Sequence, residues 1–349
     1  MPKTLREEIL RMNQDRSQMF CDTTAERRAY RREHPTEIMA SMCMDGRVNL
    51  RIICGLLFGL VTPLRNIGGR YKLGWPMLVR TLLEWERYTY SKRRPALFVI
   101  TYHWSEGDRH RGCAGFKYDR DAALDYMLKF KEHVDRRYHG RIATVVMGVE
   151  TDTDALVIHG KDPTMTLDMR EWASQLAAGR NAQLASGFLD TALPDLPKQV
   201  RHDLVPLLLG NARHVVQVRE QHRQPNEFKH CERVLAVGQG FDWLDRPNLA
   251  LIIGPCDPNL GEPIVTAANI IRSNLKEGRI PSDGGVLLVS SPYRDHQDRD
   301  PMEEEAIELA KVALHHIHRE LPDMGDFFHP LVGVLSYETR RFEPVEFRP

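Results

Sequence analysis

The first 36 residues set apolar side chains at helical spacing (Leu5, Ile9, Leu10, Met12) among many charges and close on RRAYRREHP. That spacing predicts one or two amphipathic helices ending near Pro35. EIMASMCMDGRV then runs apolar until it breaks at Asp45-Gly46, as expected of a buried strand passing into a loop. PMLVRTLLEWERYTY opens on a proline and spaces Leu78, Leu82, Leu83 and Trp85 about one turn apart, which predicts a helix with one apolar face. PALFVITYH is an almost unbroken apolar run, the pattern of a strand covered on both faces of a parallel sheet. DAALDYMLKFKEHVDRRY reads as a further amphipathic helix and ATVVMGVETD as a third buried strand. Strand, helix, strand, helix, strand is the grammar of an α/β fold with a mostly parallel sheet.

The second half repeats this grammar. VLAVGQGFDWL can be laid on IMASMCMDGRV, GVLLVSSPYRD on PALFVITYHWS, and PLVGVLSYETRR on ATVVMGVETDTD. The separations agree roughly, at 196 residues from Cys43 to Gln239, 190 from Val99 to Val289 and 188 from Glu150 to Glu338. An internal duplication is therefore expected, although any two α/β domains share strand patterns of this kind.

Composition narrows the class. With 349 residues the chain is long enough for about two domains. Its 48 basic and 48 acidic side chains cancel, which gives no support to nucleic-acid binding. The longest apolar stretch, 52–62, holds two glycines and is too short to span a bilayer, so no membrane association is expected. The charged N-terminus has no signal-peptide core, which predicts a cytoplasmic protein. In that reducing setting the six cysteines read as buried thiols or metal ligands rather than disulfides.

Cys43 stands where a buried strand ends and the Asp45-Gly46-Arg47 loop begins, the end at which open α/β sheets build their sites. His103 ends the FVITYH strand, and Cys113 follows at a Cys-Ala-Gly step. Two thiolates and an imidazole suit Zn2+ and leave a fourth tetrahedral position for water, the pattern of a catalytic site. A lone cysteine on an apolar strand is ordinarily a small buried hydrophobe, the reading given to Cys54 and Cys256. Asp45 and Arg47 fit a surface ion pair as well as a catalytic one.

Three motifs occur in order within 71 residues: CxDxR at Cys43, Asp45 and Arg47; Arg65-Asn66-Ile67-Gly68-Gly69; and a strand-end histidine with Cys113 beyond it. The series resembles that of the β-class carbonic anhydrases, whose usual forms are CxDSR, RNAGN and HxxC. A widened gap between histidine and second cysteine, the TDTDA stretch Thr151–Ala155 and a degenerate second half are similar to the carboxysome shell carbonic anhydrases. The likeness covers roughly residues 36–349. It departs at Gly46, where the family carries serine, and the sequence as read starts without the long N-terminal region of those enzymes.

The resemblance implies a β-carbonic-anhydrase-like sheet flanked by helices and duplicated: a helical segment 1–36, a zinc-binding domain 37–200, and a degenerate domain 201–349 without metal. Pro263–Ile270 is similar to the RNAGN region with its arginine gone, and Gln239, Tyr293 and Arg294 stand where ligands would be. One zinc per chain follows. The implied activity is reversible hydration of carbon dioxide to bicarbonate, with Cys43, His103 and Cys113 on zinc and Asp45 orienting the reacting water while paired with Arg47. A homodimer or larger homo-oligomer and carboxysome components are the implied partners, and a carboxysome the implied setting. A hydrolase of carbonyl sulfide or carbon disulfide would use the same ligands, and a non-catalytic scaffold is the third reading. His110 keeps the literal HxxC spacing to Cys113 whereas His103 keeps the strand-end position, which favours His103; His110 then becomes a loop residue suited to proton shuttling.

Overall fold

The computed structural model describes residues 4–162, 164–177, 182–221 and 230–348. The chain forms two compact units, one of Ala25–Cys43 and Arg47–Lys229, the other of Met1–Thr24, Met44–Gly46 and His230–Pro349.

Two helices open the chain, α1 (Leu5–Asp22) and α2 (Thr24–Glu33). The start of α1 is set by a capping box, in which the Glu7 amide donates to the Thr4 hydroxyl and the Thr4 amide to the Glu7 carboxylate. Then come β1 (Glu37–Cys43), the single turn α3 (Leu50–Ile53), β2 (Val61–Asn66), α4 (Pro76–Ser91) and β3 (Ala96–Trp104). Pro76 begins α4, and Leu78, Leu82, Trp85 and Thr89 form its buried face. All nine residues of β3 are buried, as the apolar run predicts. Next in order are α5 (Arg120–Tyr138), capped by the Asp119 carboxylate on the Ala122 amide, and β4 (Ala143–Glu150), β5 (Ala155–His159) and β6 (Thr166–Asp168). Three helices, α6 (Met169–Ala177), α7 (Ala182–Ala192) and α8 (Lys198–Glu220), complete this half.

The first sheet has the order β2-β1-β3-β4-β5-β6, with β2, β1, β3 and β4 parallel and the last two antiparallel. β2 lies at its edge, which is why Pro63 is tolerated within the strand. The second unit holds β7 (Val234–Gly238), β8 (Ala250–Ile253), α9 (Gly261–Lys276), β9 (Gly285–Tyr293), α10 (His296–Glu320), β10 (Phe328–Ser336) and β11 (Phe342–Pro344). Its sheet runs β8-β7-β9-β10-β11, with four parallel strands and β11 antiparallel. Read from the same edge, this repeats β2-β1-β3-β4-β5 in order and in sense. The fold is thus α/β with two mostly parallel sheets of matching topology. α1 belongs to this second unit, where the Asn13 side chain donates to the Arg340 carbonyl and accepts from the Phe342 amide.

One sequence correspondence fails. Pro263–Ile270 is not the counterpart of the Arg65–Gly69 loop but lies inside α9. Ile264, Ala267, Ala268 and Ile271 recur at helical spacing and are all buried, so the segment forms the helix that follows β8 as α4 follows β2.

Within the first unit α8 is pinned by a Gly-Asn pair. A Cβ on Gly210 would meet the Cys54 carbonyl oxygen at 1.9 Å, so the helix can approach that backbone only with glycine there. The neighbouring Asn211, fully buried, donates to the carbonyls of Ile53 and Asp154 at 2.9 and 2.8 Å and accepts from the Leu156 amide at 3.0 Å. Asn211→Leu leaves three buried backbone groups without that partner and is expected to cost about 2–5 kcal/mol, read as a lower midpoint in urea unfolding.

Candidate metal centre

Cys43 is the last residue of β1 and lies beside Asn66, the last residue of β2. Arg65 Nη1 donates to the Cys43 carbonyl at 2.9 Å, so the Arg-Asn-Ile-Gly-Gly motif begins by fastening the end of the cysteine strand. His103 is the penultimate residue of β3, paired with Val149 of β4. Cys113 precedes a single 3-10 turn, Ala114–Phe116, and its carbonyl accepts from the amides of Phe116 and Tyr118.

The glycines of the motif explain how these loops meet. Gly68 and Gly69 have φ of 64° and 65°, in the left-handed region that other residues enter at a cost. A Cβ on Gly69 would crowd the Thr101 carbonyl and the Met42–Cys43 peptide. A Cβ on Gly115 would come within 2.7 Å of the Gly68 nitrogen, so the Cys113 loop and the Gly68 loop touch backbone to backbone.

As a result the donor atoms of Cys43, His103 and Cys113 lie within 4.8 Å of one another, and all three side chains are buried. A zinc with sulfur at about 2.3 Å and nitrogen at about 2.1 Å sets tetrahedral edges of about 3.6–3.8 Å, within that span. Among the described residues neither ring nitrogen of His103 has a hydrogen-bond partner, although the residue is only 2% exposed. Leaving such a group unsatisfied costs about 1–3 kcal/mol, which coordination of a metal would remove. The donor set fits zinc.

His110 lies elsewhere. It is exposed, its ring stands edge-on to Tyr118 at 5.2 Å, and it belongs to a 3-10 turn begun by Asp108. Cys54 is buried away from the cluster, and burial pushes its thiol pKa up, as fits an inert core residue.

The loop between His103 and Cys113 is held by residues that the motifs do not include. Asp152 accepts from the Ser105 hydroxyl at 2.9 Å and the Gly107 amide at 2.7 Å, and pairs with Arg111 at 3.4 Å. Thr151 donates through both its amide and its hydroxyl to the Trp104 carbonyl. Glu150 accepts from the Asp152 and Thr153 amides and the Thr153 hydroxyl; burial raises its pKa despite these bonds. The TDTDA stretch is therefore the clasp of this loop. Arg47, buried, donates to the Arg111 carbonyl at 2.8 Å and so reaches the residue two before Cys113.

Asp45, also buried, forms an isolated antiparallel bridge with Leu251 in the second unit, where Met44 accepts from the Ile252 amide at 2.8 Å. The same unit accounts for Gly46: a Cβ there would meet the Ala250 carbonyl at 2.8 Å. In that unit no set of three His, Cys, Asp or Glu donor atoms converges among the described residues.

The first unit thus gathers two thiols and an imidazole where β1 and β3 of its mostly parallel sheet end. Residues 84–192 match the family described as Carboxysome Shell Carbonic Anhydrase, catalytic domain. The chain is 26% identical over 271 residues to the carboxysome shell carbonic anhydrase of Prochlorococcus marinus, covering 66% of this chain and 52% of that protein. It is 27% identical over 281 residues to the protein of the same name from Halothiobacillus neapolitanus, covering 66% and 54%. The chain spans about half the length of the curated relatives it matches.

Two outcomes follow. His103→Ala is expected to abolish or greatly weaken zinc uptake at the thiolate site while His110→Ala keeps it, as read by metal analysis together with the thiolate absorption of the cobalt-substituted proteins. Gly46→Ser should lower stability by about 1–3 kcal/mol, because a backbone carbonyl must move to admit the new side chain; thermal unfolding measures it.

Proposed function

We propose that this chain catalyses the reversible hydration of carbon dioxide to bicarbonate and a proton at a zinc ion held by Cys43, His103 and Cys113. The observation that carries the reading is the buried convergence of two thiols with an imidazole whose nitrogens are otherwise unpartnered. When bound, zinc supplies the Lewis acidity that brings the pKa of a water toward neutrality. Cys43 and Cys113 would bind as thiolates, and their two negative charges offset that of the dication. His103 would bind as the neutral ring. Asp45, a buried carboxylate two residues beyond Cys43, is assigned to accept the hydrogen bond of the reacting water and orient it, on the resemblance of Cys43–Arg47 to the family motif. Arg47 is assigned to hold Asp45 in that role and, through its bond to the Arg111 carbonyl, to steady the Cys113 loop. His110, exposed on that loop, is assigned to exchange protons with buffer.

The setting is part of the same proposal: the relatives are named for the carboxysome shell, and we extend a carboxysome location and homo-oligomeric assembly to this chain. No helix of the described residues is long and apolar enough to cross a membrane.

The test is carbon dioxide hydration by the purified chain, with carbonyl sulfide and carbon disulfide as competing substrates. Asp45→Ala is expected to keep its zinc and lose about 10²–10⁴-fold in turnover. Full zinc with unchanged turnover would remove Asp45 from the mechanism, and turnover of the sulfur substrates alone would replace the proposed reaction.

A further inference from the structure

A second convergence of donors lies in the same unit, apart from the Cys43 site. His34 follows the end of α2, while His202 and Asp203 sit early in α8. Their ligand atoms lie within 4.8 Å of one another although 169 positions separate His34 from Asp203. Nδ1 of His34 is 3.2 Å, and Nδ1 of His202 3.1 Å, from the same oxygen, Asp203 Oδ1. The two imidazoles stack with centroids 5.3 Å apart and planes inclined by 24°. Asp203 is buried and His202 exposed, so the cluster is rooted in the interior and opens at the surface.

Asp203 Oδ1 is overloaded. It faces the two imidazole nitrogens and also accepts from Gln199 Nε2 at 2.8 Å, while Oδ2 accepts from the Thr36 amide at 2.9 Å. One carboxylate oxygen has two lone pairs and here faces three nitrogens, Gln199 Nε2 and the Nδ1 atoms of both imidazoles. A single divalent cation bound by both imidazole nitrogens would take one lone pair of Oδ1 and leave the other for Gln199. The geometry is already close: with nitrogen and oxygen at about 2.1 Å from zinc, a tetrahedral edge is about 3.4 Å. Two imidazoles and a carboxylate are a donor set suited to zinc.

We propose that His34, His202 and Asp203 form a second site for a divalent metal, of the zinc type, with its remaining position open to solvent beside His202. Bound there, the ion clips the segment leading into β1, through His34 and Thr36, to the start of α8. The site carries no thiolate, and it does not restore a metal to the second sheet.

Cobalt(II) titration of the full chain distinguishes the two sites, because only a cysteine-ligated ion shows thiolate-to-metal charge transfer. The expected result is uptake of one Co2+ without that band, lost in His34→Ala and in His202→Ala, beside one Co2+ with the band that both variants retain. Cys43→Ser should remove the band and leave the thiolate-free uptake intact. Thiolate-free uptake in a wild-type chain that shows no band at all would support this site while refuting the catalytic one. Wild-type protein that takes up only the thiolate-ligated ion overturns the proposal. So does unchanged thiolate-free uptake in His202→Ala, a substitution at an exposed position whose fold is checked by circular dichroism.

Discussion

The closeness of two loop backbones at the carboxyl ends of β1 and β3 governs everything that happens at the candidate metal centre. Gly115 can lie against the Gly68 backbone only because it carries no side chain, and a side chain on Gly69 would press on the Met42–Cys43 peptide. Remove that freedom and Cys113 must withdraw from Cys43 and His103. The strands supply two of the donors at fixed positions, since a strand end in a buried parallel sheet has little room to move. The third donor arrives on a loop, and glycine contacts are what bring it in.

That loop is long, and its order is polar rather than apolar. Asp152 gathers Ser105, Gly107 and Arg111, Thr151 grips the Trp104 carbonyl, and Arg47 grips the Arg111 carbonyl. Each bond contributes only about 1 kcal/mol. Acting together on one short segment, they compensate for a loop that has few apolar side chains of its own to bury. The TDTDA stretch thus has a physical role that does not require it to touch substrate.

The second sheet repeats the strand order of the first, while among the described residues no matching set of three donors converges beside it. Topology is maintained by apolar runs such as VLAV and GVLLV, which need only to be buried. A metal set is maintained by three particular atoms, and any one of them can be lost without cost to the sheet. Matching strand order therefore does not by itself carry matching donors.

Long buried strands and amphipathic helices were legible along the chain, because apolar runs and one-turn spacings are local properties. β1, β3, β4, α4 and α5 stand where those patterns put them. The short edge strands β2 and β8 were not legible: Val61–Asn66 contains a proline and Ala250–Ile253 has four residues, and both are strands only because a neighbour pairs with them. The spacing of Pro263–Ile270 suggested a loop match, and burial of its helical stripe decided otherwise. The sequence by itself determined which residues could bind metal, since side-chain chemistry needs no fold. Only the tertiary structure decided which of them meet: why His103 and not His110 stands beside the two cysteines, and that His34 faces His202 and Asp203. Convergence of residues far apart in sequence is set by strand register and backbone contact, which one-dimensional spacing does not encode.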